Sequence, residues 1–264
     1  MSLHEFLQAD PECVRLLEGA VLAVGPMLGE EDAAPVVRTV EAWADALAGH
    51  MPLPWTIHGG IDALNTYLFQ QVGLQGDRET YDDPANALLP KVLERKRGMP
   101  ITLSILWMEV ARRLGFRAIG VGLPGHFISG IQLDMGTLYF DAFNGGRPVG
   151  EEDAAWLVEQ STGGRAVFHP SMLAPVANRA ILGRLVRNLH VRFARTGNWD
   201  EAIWTATHLV LLNPRESASY RDRAFVRFKR GETSQGMLDL QEAIRLSPEG
   251  DPELVQWLEK LQRD

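Results

Sequence analysis

The stretch from Pro100 to Phe143 constrains the fold most, because it opens on a helix that is apolar around nearly its whole circumference. Pro100 suits the first turn of a helix, where a missing N–H costs nothing. From there Ile101, Leu103, Ile105, Leu106, Met108, Val110 and Leu114 spread around the helix instead of lining one face. That is the pattern of a buried helix, and Gly115 is placed to end it. Three short runs rich in β-branched and aromatic residues follow, at 116–122, 126–133 and 137–143. Pro124-Gly125 and Asp134-Met135-Gly136 separate them, so they read as three consecutive antiparallel strands. A central helix followed by a small sheet is an α+β pattern.

Helices are expected on both sides of this core. Val14, Leu16, Leu17, Ala20, Val21 and Val24 form one helical stripe, and Val36, Val37, Val40, Trp43 and Leu47 form a second. Gly25-Pro26 and the acidic turn at 29–32 divide the two. A further helix is expected over 62–72, with Leu64, Tyr67, Leu68 and Phe69 on its apolar side. Residues 73–86, rich in Gly, Asp and Pro, read as a long loop, and loops of that size tend to be functional or to wrap something. After Pro170 the chain repeats itself. Gly197-Asn198-Trp199 leads to Leu212-Asn213-Pro214, and Gly231-Glu232-Thr233 leads to Leu246-Ser247-Pro248, both at an offset of 34 residues. That is the period of tetratricopeptide helix pairs, with a glycine at the inter-helix turn and a proline closing the second helix. A last helix over 252–261 is expected to close the array, which is expected to stack on the preceding domain. The expected domains are an N-terminal helical region, 1–60, packing on the core; the core, 61–175; and the repeats with their capping helix, 176–264.

Composition excludes several classes. The chain has 264 residues, 45% apolar and 23% charged, close to the globular norm. A formal charge of −8 argues against a nucleic-acid partner, and the cations of 91–97 read as a solvated helix face. Cys13 is the only cysteine, which rules out an intramolecular disulfide and a cysteine-rich metal site. Met1-Ser2-Leu3-His4-Glu5 has no basic n-region, and no stretch approaches the ~18 apolar residues of a bilayer span. A cytoplasmic protein with no membrane partner is expected.

His126 and Asp141, fifteen residues apart, are the candidate catalytic pair. On adjacent strands they would meet as a cross-strand pair, and a carboxylate on one imidazole nitrogen would fix the tautomer. The same spacing equally describes a structural tie between two strands. Gly125 before the histidine, and Gly145-Gly146 after the aspartate, would let backbone approach closely. His126, Asp141 and either Asp134 or Glu109 could converge on a metal, but nothing has the spacing of a known metal motif. No metal and no cofactor is expected. Gly120-Val121-Gly122 is followed by a strand, whereas a dinucleotide fingerprint would open a helix.

The motifs Asn65-Thr66-Tyr67-Leu68-Phe69, Tyr81-Asp82-Asp83-Pro84-Ala85-Asn86, Arg97-Gly98-Met99-Pro100-Ile101-Thr102-Leu103-Ser104, Gly120-Val121-Gly122-Leu123-Pro124-Gly125-His126-Phe127 and Phe140-Asp141-Ala142-Phe143-Asn144-Gly145-Gly146 closely resemble the SirB-type transglutaminase-like proteins. These form a branch of the papain-like transglutaminase-core superfamily whose members often carry a tetratricopeptide tail. The resemblance is strong over 64–149. It implies a helix bearing a cysteine nucleophile at its N-terminus, packed on a sheet bearing a histidine and an aspartate. His126 and Asp141 match the last two. The superfamily helix opens with a glycine, a variable residue and the cysteine, about fifteen residues before a glycine like Gly115, and counting back from Gly115 lands on Pro100. A proline offers no nucleophile and no backbone N–H for an oxyanion hole.

Two hydroxyls are possible substitutes. Ser104 lies one turn along the helix from Pro100, on the same face at about 400° and about 6 Å deeper. Thr102 lies about 200° around and is expected to face away. Buried helix hydroxyls ordinarily bond the preceding carbonyl turn. Cys13 is a more distant candidate, and free cysteines are commonly packing residues.

The expected binding residues around the pair are Asn86, Pro100, Gly125, Asn144 and Gly145. Three functions stay open. The first, favoured here, is a catalytically degenerate domain used as a binding or regulatory module, with a protein or peptide partner docked on the repeats. The second is an atypical hydrolase or acyl transferase using His126–Asp141 with Ser104, a water or a substrate hydroxyl. The third is a scaffold in which the pair is architectural.

Overall fold

Pro100 begins the helix around which the core is assembled, and twelve successive residues, Pro100 to Ala111, are buried. One charged group lies among them. Glu109 is neutralised by Arg112 at 2.7 Å and Arg113 at 2.9 Å, one turn further on. At the N-terminal end the hydroxyl of Thr102 accepts the Met99 N–H (3.1 Å) and donates to the Asn86 carbonyl (2.9 Å). It therefore caps the helix and ties it to the preceding segment.

The computed structural model of the chain describes residues 1–26, 29, 32–50, 56–247 and 251–263. In chain order the helices are α1 (Leu3–Ala9), α2 (Leu16–Val24), α3 (Ala34–His50), α4 (Ile57–Asn65), α5 (Leu89–Arg95), α6 (Pro100–Arg113), α7 (Glu151–Thr162), α8 (Asn178–Thr196), α9 (Trp199–Leu212), α10 (Ser217–Lys229), α11 (Thr233–Leu246) and α12 (Pro252–Arg263). The strands are β1 (Gln75–Gly76), β2 (Arg97–Gly98), β3 (Ala118–Val121), β4 (Ile128–Leu133), β5 (Gly136–Asp141), β6 (Arg147–Val149) and β7 (Pro175–Val176). Part of the turn expected at 29–32, and the repeat-closing Pro248, lie outside the described residues.

Contacts divide the chain into two units, one of residues 12–181 and one of residues 1–11 with 182–264. In the first unit α2, α3, β3 and β4 all pack on α6. The fold class is the α+β expected, with a wider sheet than the three strands read from sequence. Its order is β6-β5-β4-β3-β7, every neighbour antiparallel. The two added strands are short edge strands that contain proline, which a sheet tolerates only at its margins. α7 covers one face, where Ala154, Leu157 and Val158 join Val121, Ile128 and Val149 in a single apolar cluster.

Two local expectations change. The helix expected over 62–72 is an α-helix from Ile57 to Asn65 continued by a π-helical turn, Thr66–Gln71, where the Val72 N–H reaches the Tyr67 carbonyl at 2.8 Å. The loop expected over 73–86 contains β1, which pairs in parallel with β2, and its C-terminal end lies in a 3-10 turn, Pro84–Ala87.

The irregular helix end puts Asn65 at a junction of three elements. Its Oδ1 accepts the indole N–H of the fully buried Trp107 (2.8 Å), and its Nδ2 donates to the Gly146 carbonyl (3.0 Å). Trp107 also stacks on Phe140 of β5 at 5.5 Å. Gly146 has φ +74, and an added Cβ would lie 2.3 Å from Asn65 Oδ1.

In the second unit α8 and α9, and α10 and α11, are joined at Gly197 (φ +75) and Gly231 (φ +76), the two glycines of the 34-residue repeat. Left-handed backbone at the same point of each pair is what a helix stop before a tight reversal requires. α12 packs on α11, with Leu254 and Trp257 joining Ala224, Leu240 and Ala243. α1 packs on α9.

Asn65→Ala leaves a buried indole donor unpaired and should destabilise the first unit by about 1–3 kcal/mol, read as a lower midpoint in chemical denaturation. Gly146→Ala combines a left-handed φ that alanine rarely adopts with a clash and should cost at least about 1 kcal/mol. Wild-type midpoints for both would show that this junction does not hold the unit together.

Candidate functional site

Asp141 ends β5, and its carboxylate is only 2% exposed. Oδ1 accepts the N–H groups of Phe143 (3.0 Å) and Asn144 (3.2 Å), which caps the 3-10 turn Ala142–Asn144. Oδ2 accepts the Asn144 amide (2.6 Å) and stands 3.0 Å from His126 Nε2. Burial pushes the carboxyl upward, but the hydrogen bonds from His126 and Asn144, with the attraction of His126, outweigh it and hold the group below its ordinary value of 3.8. An ionised carboxylate only accepts, so Nε2 of His126 carries a proton and the pair is oriented as a triad would orient it.

The two residues do not meet as a cross-strand pair. β4 begins at Ile128, so His126 sits in the turn after Gly125 (φ +71), and the last paired rung at this end is Ser129 with Phe140. The histidine reaches Asp141 from beyond the ladder. It is itself 7% exposed, with the Phe143 ring edge-on at 6.1 Å.

A strap made by residues 77–86 is built beside this turn. Asp77, fully buried, accepts the N–H groups of Glu79 (3.1 Å) and Thr80 (2.8 Å) and the Thr80 hydroxyl (2.6 Å). Arg95 clamps the strap from α5, bonding Asp77 at 3.2 Å and Asp83 at 2.8 Å. Burial raises the Asp77 carboxyl, yet these bonds and Arg95 lower it to about 2. From the strap Arg78 bonds the Asn144 side chain and lies over the Phe143 ring at 5.3 Å. Tyr81 meets the same ring edge-on at 6.1 Å. The structure thus brings Asn144 to Asp141 directly and links both to the strap.

The other sequence candidates fall as follows. Asn86 is fully buried; its Nδ2 donates to the Thr80 carbonyl (2.7 Å), its backbone carbonyl meets the helix cap at Thr102, and its Oδ1 makes no hydrogen bond. Pro100 is the buried first residue of α6. Gly145 (φ +72) ends the 3-10 turn. Ser104 is fully buried, and its hydroxyl bonds neither the preceding carbonyl turn nor His126. Thr102, expected to face away, instead makes the cap. Cys13 is buried, its carbonyl accepting from Asn178 at 3.0 Å. The metal alternatives separate: Glu109 is committed to Arg112 and Arg113, while Asp134 is exposed in the β4–β5 turn beside Arg117. Among the described residues no three metal-ligating side chains gather. A cavity of about 290 Å³ in this unit is lined by His58, Asp62, Tyr139 and Val149, away from the named candidates.

A second candidate lies on the repeats, where sequence reading named no residues. A groove of about 550 Å³ is lined from α8 by Arg187, His190, Val191, Ala194 and Arg195, from α10 by Arg221, Asp222 and Phe225, and from α12 by Trp257. Asp222 holds Arg187 through Oδ2 (2.8 Å) and Arg221 through Oδ1 (3.0 Å). His190 forms the floor. Its Nδ1 lies 3.3 Å from the Ala202 carbonyl, so Nδ1 is the donor. Burial keeps its pKa below the ordinary 6.5 against the pull of Asp222, leaving a neutral ring. The available signal was the four-residue spacing Arg187, Val191, Arg195, which places cations and an apolar side chain on one helix face.

Residues 34–187 match the model of the transglutaminase-like superfamily, and residues 189–258 match a tetratricopeptide repeat model. The UPF0162 protein of Xylella fastidiosa (strain Temecula1) is 39% identical over 189 residues, 70% of this chain and 67% of that protein. A UPF0162 protein of Vibrio cholerae is 30% identical over 166 residues, 62% of this chain and 61% of that protein. The human F-box only protein 21 is 31% identical over 138 residues, 49% of this chain and 21% of that protein. No solved structure matches the chain.

The depressed carboxyls set a pH dependence. A group whose folded pKa lies below its unfolded value stabilises the fold above the unfolded value and loses that contribution as pH falls through the folded one. For Asp77 the interval runs from 3.8 down to about 2. The wild-type denaturation midpoint should fall steadily across it, and Asp77→Asn, weaker at neutral pH, should show a shallower fall. Equal slopes would assign the acid sensitivity to other groups.

Proposed function

The chain belongs to the transglutaminase-like superfamily and carries tetratricopeptide repeats, and on that premise we propose that it is a non-catalytic protein-binding module. The groove of α8, α10 and α12 carries the reading. Tetratricopeptide arrays present such a concave face to partners, and here Val191 and Phe225, 53% and 41% exposed, stand in it without an apolar covering commensurate with their size. Protein interaction through the repeats is the general role. The finer proposal is that the transglutaminase-like unit has become a pseudoenzyme.

Two observations support that finer step. By resemblance Pro100 stands where active members keep cysteine, and it offers neither a thiolate nor an N–H at the head of α6. The Ser104 hydroxyl, the nearest substitute on that helix, makes no bond to His126. The His126–Asp141 pair then serves as architecture, joining the Gly125 turn to the end of β5. Among the described residues no helix is long and apolar enough to cross a membrane. A cytoplasmic location is part of the proposal, in keeping with a chain that has no second cysteine for a disulfide.

A photo-crosslinking residue at Phe225 should capture a protein partner in the source cells, whereas the same residue at Met135, which is 98% exposed on the other unit, should not. In parallel, wild type and His126→Ala should be alike in assays for amide hydrolysis and acyl transfer. Turnover by wild type that His126→Ala abolishes, with the fold intact, would establish the atypical enzyme instead.

A further inference from the structure

We propose that the repeat groove takes an extended acidic segment of a protein partner, with two carboxylate side chains four residues apart and an apolar side chain midway between them. The inference rests on the protein-binding reading above and adds the chemistry of the ligand.

The charge of the groove runs against that of the chain. A molecule with a formal charge of −8 lines this one surface with Arg187, Arg195 and Arg221 against a single lining carboxylate, Asp222. The three guanidiniums are not equivalent. Arg187 is consumed, bonding Asp222 at 2.8 Å and Glu216 at 3.0 Å. Arg221 shares the other oxygen of Asp222 but keeps its side chain 48% exposed. Arg195 is exposed and makes no hydrogen bond or ion pair among the described residues. Arg221 and Arg195 are therefore the cations with capacity for a ligand, and Asp222 presets the first of them. Arginine suits this task because its planar fork binds a carboxylate with two parallel hydrogen bonds.

Their spacing selects the ligand. α8 and α10 are alternate members of an up-and-down array and run parallel, and the Arg187–Asp222 pair fixes their register. Arg221 is then level with the start of the lining stretch of α8 and Arg195 with its end. At 1.5 Å per residue the two are offset by about 12 Å along the helices, and with the ~8–10 Å between packed helix axes they stand about 15 Å apart. Between them lie Val191 and Ala194 from one wall, Phe225 from the other and Trp257 beyond. An extended chain advances about 3.3 Å per residue, so same-face side chains four residues apart are about 13 Å apart, the nearest such spacing, and the long arginine side chains span the remainder. The residue midway projects the same way and meets the apolar centre. His190 is buried beneath this centre with Nδ1 held by the Ala202 carbonyl, so recognition falls to the two ends.

A random peptide library selected on the full chain tests this, followed by fluorescence polarisation with one selected peptide, its Glu→Gln form and Arg195→Glu protein. Selected sequences should show Asp or Glu at two positions four apart with a Leu-like residue between. Glu→Gln in the peptide, or Arg195→Glu in the protein, should each weaken binding by about tenfold or more, as loss of one charged anchor does. Rising salt should weaken it further. Arg195 has no partner among the described residues to lose, and the peptide substitution leaves the protein untouched, so neither result depends on a damaged fold. Selection of neutral peptides whose binding Arg195→Glu leaves intact would overturn the acidic class while the protein-binding reading stands. No selected peptide, with no crosslink at Phe225, would remove both. Equal binding of duplex DNA or of phosphatidylserine vesicles at the groove, or a dimer that Arg195→Glu dissociates, would also overturn the proposal.

Discussion

The carboxylate of Asp141 is the constraint on which the core's functional end depends. A charge so deeply buried is tolerable only where hydrogen bonds replace the water it has lost, and four donors do so here. Two are backbone N–H groups of the turn that follows, one is the Asn144 side chain, and one is His126. The same group therefore ends β5, nucleates the 3-10 turn, positions Asn144 for Arg78 of the strap, and sets which nitrogen of the histidine bears a proton. The arrangement serves a general base and a structural tie equally well, which is why geometry at this pair alone does not determine its use. What decides is what faces it.

Under the proposed function that question turns on the head of α6, where by resemblance the superfamily holds its nucleophile. A helix N-terminus that is to deliver a nucleophile must leave the side chain of its first residue free and its backbone N–H groups turned toward the reacting atom. Here the first residue is a proline, and the hydroxyl of Thr102 is committed to Met99 and Asn86. Gly98 is confined as well, since an added Cβ would lie 2.8 Å from Thr102 Oγ1 and 3.0 Å from Val92. The end of the helix is optimised as a helix end. Pro100 fits its φ without strain, and a buried twelve-residue run needs a firm start more than most. Under the proposed function such a site keeps the frame of nucleophilic catalysis and gives the attacking position over to stability.

Much of this was legible in the residues, and the exceptions have physical causes. The apolar run from Pro100 to Ala111 announced a buried helix, and the Gly–Pro punctuation of 124–136 announced β3, β4 and β5. The His126–Asp141 contact was foreseen, but its geometry was not. Pro124-Gly125 delays β4 by two residues, and strand boundaries are where local pattern is least informative. β6 and β7 were illegible because three-residue and two-residue edge strands with proline carry no period. The roles of Asn65 and Arg78 depend on partners 81 and 66 residues away, Gly146 and Asn144, which no window of local sequence contains. Thr102 shows the limit of helical-wheel reasoning: at the first turn a side chain can fold back on the cap, so its angle around the axis does not tell what it meets.

The repeats were legible by period, and the period also explains why residues 1–11 belong with them. Two helix pairs leave an apolar face at each end of the stack, and an array that short cannot bury them unaided. α12 covers one end through Leu254 and Trp257, with Trp257 meeting Phe228 at 5.3 Å. α1, whose Leu3, Phe6 and Leu7 are buried, packs on α9. With its outer faces occupied by segments from both ends of the sequence, the array keeps α8 and α10 in one register, and the ion pair between Arg187 and Asp222 reports that register directly. The groove is then a fixed surface. The positions of Val191, Arg195, Arg221 and Phe225 follow from helix packing, so the walls are ordered by the array itself.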